Sequence, residues 1–218
     1  MINPATLDFL TNLKQNNNRD WFTDHKNQYE LARENIIEFT AAVIKELSKV
    51  DPHVDAGTDP KKCVMRIYRD IRFSKDKTPY KNNFGIHNLT SYKGHIGYYI
   101  HIEPGGSFIG GGYWMPEGDH LKAIRQEIDY NAADLKAIID APEFKKLFGE
   151  FRDQEQLKTA PSGYEATDEN IDLLKLKNFG AIHQLTDAKI QKKDIPVQIA
   201  KVFEQLYPLL IFFNNAIS

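Results

Sequence analysis

The middle of this 218-residue chain alternates apolar and polar residues, whereas both flanks repeat their apolar residues every three to four positions. A period of two builds a half-buried strand, and a period of about 3.6 builds an amphipathic helix, so the order of the two periods limits the architecture before any motif is read. Strands gathered between helical flanks predict an α+β fold: a central, mostly antiparallel sheet with N-terminal and C-terminal helices packed on it. The sequence shows no internal repeat, low-complexity tract or long linker, so residues 1–218 are expected to form a single domain.

The flanks read as follows. Asn3-Pro4 has the form of an N-cap with proline at the first helical position, and Asn16-Asn17-Asn18 ends that helix in turn chemistry. Tyr29, Ala32, Ile36, Phe39, Val43, Leu47 and Val50 then mark a long amphipathic helix that Asp51-Pro52 terminates. Trp21, Phe22, Lys26 and Tyr29 lie at its start, where aromatics at helical spacing pack into a core. Further helices are expected behind Asp119, over 133–140 and 142–149, near 168–176, and from Asp194, with Pro208 kinking or interrupting the last.

In the middle, Met65, Ile67, Ile71 and Phe73 are expected to face one way, and Arg66, Tyr68, Asp70 and Arg72 the other. Arg69 falls on the apolar side, which requires either a bulge or a buried guanidinium with a partner. A second strand covers His95 to Glu103, a turn at Pro104-Gly105-Gly106 leads into a third at Ser107 to Tyr113, and a short one is expected at 181–185. The glycines at 110–112 suit a bulge or a close backbone approach.

Composition removes several classes of function. Cys63 is the only cysteine, which excludes a disulfide framework and any zinc site that needs two thiolates. The N-terminus lacks a basic stretch followed by an apolar one, and the most apolar tract, Leu206 to Phe213, is far short of the ~18 residues of a membrane span. A soluble cytoplasmic protein with no membrane association is the expectation. No Walker-type loop, dinucleotide fingerprint or nucleophile elbow is present, and His101-Ile102-Glu103 matches only half of a zinc-deaminase signature. No metal site is expected, and no cofactor class or oligomeric state is implied.

Charge is concentrated. Residues 61–81 carry eight lysines and arginines against Asp70 and Asp76, a net of +6, so the rest of a chain of net −2 sums to −8. A basic segment on an acidic body fits a local anion site better than a broad nucleic-acid face. Within it, Arg66 and Arg72 flank Tyr68 on one strand face and could fork around a phosphate or carboxylate. Asp70 beside Arg72 is expected to have a lowered pKa, which suits it to orient arginine rather than to act as a base. Ser74 to Pro79 is turn chemistry from which Lys77 could close over an anion, with Tyr80 and Lys81 following. The blander reading of the same run is an Arg–Asp ladder that stabilises a sheet edge.

The run RIYRDIRFSKDKTPYK, residues 66–81, resembles the signature of a widespread, mostly microbial family catalogued as domain of unknown function 2461. NNNRDWFTDHKNQYE, GYYIHIEPGGSFIGGGYW and LKTAPSGYEATDENIDLLKLKNF fit the same family pattern in order, across nearly the whole chain. The resemblance implies one compact domain and assigns no substrate, cofactor or catalytic residue. It does single out a polar loop holding Lys158 and Tyr164, a place where function collects more often than packing.

Three readings follow. In the first, a cleft binds a small anionic, phosphate-bearing ligand through Arg66, Arg69, Arg72, Lys77, Lys81 and Lys158, oriented by Tyr68, Asp70 and Tyr80. His101 or Tyr164 would be its proton carrier if it is an enzyme. In the second, the Arg/Asp signature stabilises a structural or protein-interaction domain. In the third, the basic strand and Tyr92, Tyr98, Tyr99 or Trp114 bind single-stranded nucleic acid, which the overall charge of −2 opposes.

Overall fold

The chain folds as a mixed structure of helices around a four-stranded antiparallel sheet, seen here in a computed structural model that describes residues 1–151 and 154–218. The strands are β1 (Phe84–Ile86), β2 (Ile96–Ile102), β3 (Phe108–Tyr113) and β4 (Phe179–Gln184), neighbours in the order β1-β2-β3-β4. β1 and β2 pair antiparallel, with Gly85 opposite His101 and Ile86 opposite Ile100. β2 shows the alternation expected of it, every even-numbered residue from Ile96 to Ile102 being buried. This α+β architecture is the one the two periodicities specify.

Two compact units can be distinguished: one comprises residues 1–89, 99–109 and 184–201, the other residues 90–98, 110–183 and 202–218.

The first unit holds α1 (Pro4–Gln15), α2 (Arg19–Asp24), α3 (Lys26–Leu47) and α4 (Pro60–Cys63). Leu7, Leu10 and Leu13 of α1 and Ile36, Phe39, Val43 and Leu47 of α3 are buried, the spacing of one helical face on each. Pro4 opens α1 as expected, although Asn3 makes no side-chain cap; its backbone amide donates to Asn35 Oδ1 at 2.8 Å. Trp21 and Phe22 belong to the separate short helix α2, which Asn18 caps by accepting from the Trp21 amide. α3 packs on the sheet through Tyr29, whose ring stacks on Phe84 with centroids 6.3 Å apart.

The second unit is built on α5 (Gly118–Ile139), α6 (Pro142–Phe148) and α7 (Ile171–Leu174). α5 joins the two helical patterns read near 121–128 and 133–140 across a break at Asn131, where φ is −128° and ψ 36°. Its N-cap position is Glu117, so Asp119 sits in the first turn rather than capping it. α8 (Asp187–Ile190) lies in the first unit, and α9 (Ile195–Ala216) supplies residues to both. Within the second unit Phe203 of α9 stacks on Tyr98 of β2 at 4.4 Å. α9 continues through Pro208 without ending there, so of the kink or interruption expected the interruption does not occur. By length and composition α9 alone among the described residues meets the requirement for crossing a membrane, and half of its most apolar window is buried within the protein.

Candidate functional site

Residues 63–73 were expected to form a strand, and they form none: Cys63 ends α4, and only two isolated bridges occur in the segment. Val64 bridges Ile86 and Tyr68 bridges Tyr80, both antiparallel, while Arg69 N donates to Pro79 O and Lys81 N to Ile67 O. Six positions separate Tyr80 from Ile86 but only four separate Val64 from Tyr68, so the register slips by two between the bridges. That slip prevents a continuous ladder and leaves residues 64–69 as an irregular edge beside β1. Arg66, Tyr68, Asp70 and Arg72 are exposed, as alternation predicts. Phe73 departs from the pattern: expected on the apolar side, it is 95% exposed at the far end of the segment.

Three of the five candidate cations of this segment, Arg69, Arg72 and Lys77, already have partners. Arg69, on the inward side, donates through Nη1 to Asp76, to the Thr78 hydroxyl and to Thr78 O. Asp76 also accepts from the Thr78 amide at 2.9 Å, and that bond, with the Arg69 guanidinium, lowers its carboxyl to about 2. Arg72 forks onto Asp70, with Nε 3.0 Å from Oδ1 and Nη2 2.7 Å from Oδ2. These hydrogen bonds hold Asp70 below the usual carboxylate range, the direction the sequence implied. Lys77 caps the Ile71 carbonyl at 2.9 Å.

Arg66 and Lys81 are different. Neither makes an ion pair or side-chain hydrogen bond among the described residues. The Lys81 side chain is half-buried, and burial together with the nearby Arg66 charge pushes its ammonium below the ordinary lysine range. Two like charges at the edge of a fold, one of them partly withdrawn from water, form a place where an anion would relieve both.

Aromatic rings support this edge. Tyr80 stacks on Phe22 of α2 with centroids 4.0 Å apart and planes 13° from parallel, and Tyr68 lies 5.6 Å from Tyr80. Burial raises the Tyr80 hydroxyl, and the Tyr68 phenol adds to the effect. Asn17 fastens the Tyr80 backbone from both sides: its Oδ1 accepts from Tyr80 N at 3.1 Å, and its Nδ2 donates to Tyr80 O at 3.0 Å and to Asn82 Oδ1 at 2.9 Å. In the sequence Asn17 reads only as a helix terminator, because nothing local relates it to a position 63 residues away.

His101 sits in a hydrogen-bonded row along one face of β2. Its Nδ1 is 3.3 Å from the Tyr99 hydroxyl and its Nε2 3.1 Å from Glu103, which in turn meets Lys14 at 3.3 Å. The imidazole stacks on Phe108 with centroids 4.7 Å apart. Burial pulls the Glu103 carboxyl up, and the bonds from His101 and Lys14 outweigh it, so the group remains below its ordinary range and accepts protons poorly. Lys158 and Tyr164 belong to the second unit. Lys158 is exposed, and burial with the Asp129 charge raises the Tyr164 phenol. Of the aromatic residues considered for base stacking, Tyr92 and Tyr98 are buried, Tyr99 is half-buried and Trp114 is exposed. Among the described residues no three His, Cys, Asp or Glu side chains converge as a metal set.

The fold and this edge define the class: an α+β protein with a basic, aromatic-backed segment beside a short antiparallel sheet. The model of the conserved hypothetical protein family DUF2461 matches residues 5–212, and the chain belongs to that family. No curated protein and no solved structure matches it.

Proposed function

We propose that the first unit binds a small anion of phosphate class at Arg66 and Lys81, beside the exposed ring of Tyr68. The observation that carries this reading is that Arg66 and Lys81 lie near enough for one charge to act on the other, neither has an ion pair or side-chain hydrogen bond among the described residues, and Lys81 is half-buried. Asp70 and Asp76, the acidic residues of the segment, are committed to Arg72 and Arg69. Arg66 keeps all its guanidinium donors and Lys81 its ammonium, while Tyr68 offers a hydroxyl and an open face. Arg69, Asp70, Arg72 and Lys77 shape the loop, and Tyr80 anchors it. If the ligand is also transformed, His101 is the proton carrier, its tautomer set by Glu103.

The test is calorimetric and thermal-shift titration with inorganic phosphate, pyrophosphate, a dicarboxylate and a single-stranded oligonucleotide. Phosphate or pyrophosphate at a hundred times its dissociation constant stabilises the wild type by about 2.7 kcal/mol. Arg66→Ala and Lys81→Met, each weakening binding by about tenfold or more, cut that gain to about half or less at the same concentration, and Arg72→Ala keeps it. Tight oligonucleotide binding that falls steeply with salt, with no response to phosphate, would instead favour the nucleic-acid reading.

The Arg/Asp signature as a structural staple has its own support at one position. Arg69 is only 25% exposed, and three oxygens of the 76–78 turn gather on one of its nitrogens. The two readings divide the segment: Arg69 holds it, and Arg66 with Lys81 is left for a ligand.

A further inference from the structure

Two features of the first unit complement one another and neither serves the anion site. The first is the end of the basic segment. Phe73 is 95% exposed, with the Arg72 guanidinium 5.9 Å from its ring centroid and the exposed Lys75 close by in sequence. Lys75 has no ion pair among the described residues. The second is a groove of about 460 Å³ between α1 and α3. Most of its lining is polar; Phe9 and Ala32 are buried, and Leu31, 68% exposed, and the exposed Ala5 are its accessible apolar residues. Its charged residues are Asp8, Glu34 and Glu38; no lysine or arginine lines it, and none of the three carboxylates has an ion pair among the described residues.

We infer that the Phe73 loop of one molecule docks in the α1–α3 groove of a second copy of this chain. An exposed aromatic side chain on a basic segment suits an acidic groove with accessible apolar surface at its rim, and the chain carries both halves. The high exposure of Phe73 shows that it does not occupy the groove of its own molecule. Lys75 faces Asp8, Glu34 and Glu38 in the docked pair while Arg72 stays on Asp70, and the charge imbalance between residues 61–81 and the rest of the chain acts in the same direction. The contact is a single loop in a groove, so it is small and weak, and most of its affinity rests on the aromatic anchor. Each molecule presents one loop and one groove, so association yields either a reciprocal dimer or a head-to-tail series.

Sedimentation velocity of the full chain tests this, at protein concentrations up to about 1 mM, where a small interface associates, and at low and high salt. The wild type is expected to rise above the 25.1 kDa of one chain as concentration increases, and to fall back toward it in high salt. Phe73→Ser removes the anchor and weakens association by about tenfold or more. Leu31→Arg with Glu34→Lys spoils the groove to the same extent. All three positions are exposed, and matching melting temperatures establish that both variants fold. The decisive sample mixes the two: Phe73→Ser retains a groove and the other variant retains a loop, so together they form a one-to-one dimer and nothing larger. A wild type that stays at one chain's mass at every concentration overturns the inference. So does association that Phe73→Ser leaves intact, or a mixture in which no heterodimer forms.

Discussion

Arg72 and Asp70 satisfy one another across a two-residue step. The guanidinium Nε lies 3.0 and 3.3 Å from the two carboxylate oxygens, Nη2 lies 2.7 Å from Oδ2, and the Arg72 amide adds a fourth bond to Oδ1 at 3.2 Å. An arginine so engaged has little left with which to grip a ligand, whereas Arg66, three steps of the alternation earlier, keeps every donor.

This contrast gives the first prediction. Both residues are exposed, and surface pairs contribute little to stability, so Arg66→Ala and Arg72→Ala should each melt close to the wild type. Their binding should differ. Phosphate affinity falls at least about tenfold in Arg66→Ala, the loss of a charge-assisted contact, and stays near wild type in Arg72→Ala. Equal losses in the two variants would return Arg72 to the site and remove the distinction drawn here.

Asp76 predicts a pH dependence of stability. Its carboxyl titrates at about 2 in the folded chain against an ordinary value of 3.8. Between those values the unfolded chain binds a proton that the native chain does not, so acid favours unfolding there. The stabilisation is therefore complete above about pH 5 and is lost as pH falls through the folded value. Asp76→Asn should melt below the wild type at neutral pH, with the deficit shrinking from about pH 4 and closing near pH 2. Melting curves of both proteins across that window check it; a deficit unchanged down to the acid end contradicts the assignment.

Much of this was legible in the sequence because periodicity depends only on which residues meet water. The alternation of Arg66, Tyr68, Asp70 and Arg72 set the exposed face correctly, and the inward Arg69 announced a partner. What the sequence could not supply was the partner's identity. Asp76 reaches Arg69 only because the intervening loop folds back, and no local spacing encodes that return. The ladder failed for a similar reason, since the two-residue slip between the Val64 and Tyr68 bridges arises in the opposing chain, residues 80–86. β1 and α2 escaped notice because three and six residues are too few for any period to show. Phe73 misled because its pattern position was apolar and nothing in the fold covers it.

The third prediction concerns backbone packing within the second unit. A Cβ on Gly112 would stand 2.0 Å from Phe179 O and 2.8 Å from Gly180 Cα, and φ there is +128°. No side-chain rearrangement relieves a clash with backbone, so Gly112→Ala should cost about 3 kcal/mol or more in urea denaturation. Gly105, at φ +71° with no neighbouring atom within 4 Å, supplies the control. Gly105→Ala carries only the left-handed penalty of about 1–2 kcal/mol. Comparable losses at the two positions would mean that strand approach at Gly112 is looser than described.

The last prediction joins fold to site through Asn17. Its amide makes three hydrogen bonds to Tyr80 and Asn82, flanking Lys81 on both sides. The first binds the Tyr80 amide and the second its carbonyl, so the backbone entering Lys81 is gripped on both polar groups. Asn17→Ala leaves those partly buried groups to find water, which costs about 1–3 kcal/mol in chemical denaturation. The variant also frees the chain that presents Lys81, so phosphate affinity should fall although Asn17 carries no charge and touches no ligand. Asn17→Asp separates the two effects: it keeps the acceptor for the Tyr80 amide, loses both donors and adds a negative charge. It should recover part of the stability lost in Asn17→Ala and bind phosphate more weakly still. If Asn17→Ala retains wild-type stability, the clamp is not what holds this edge, and the placement of Lys81 would need another cause.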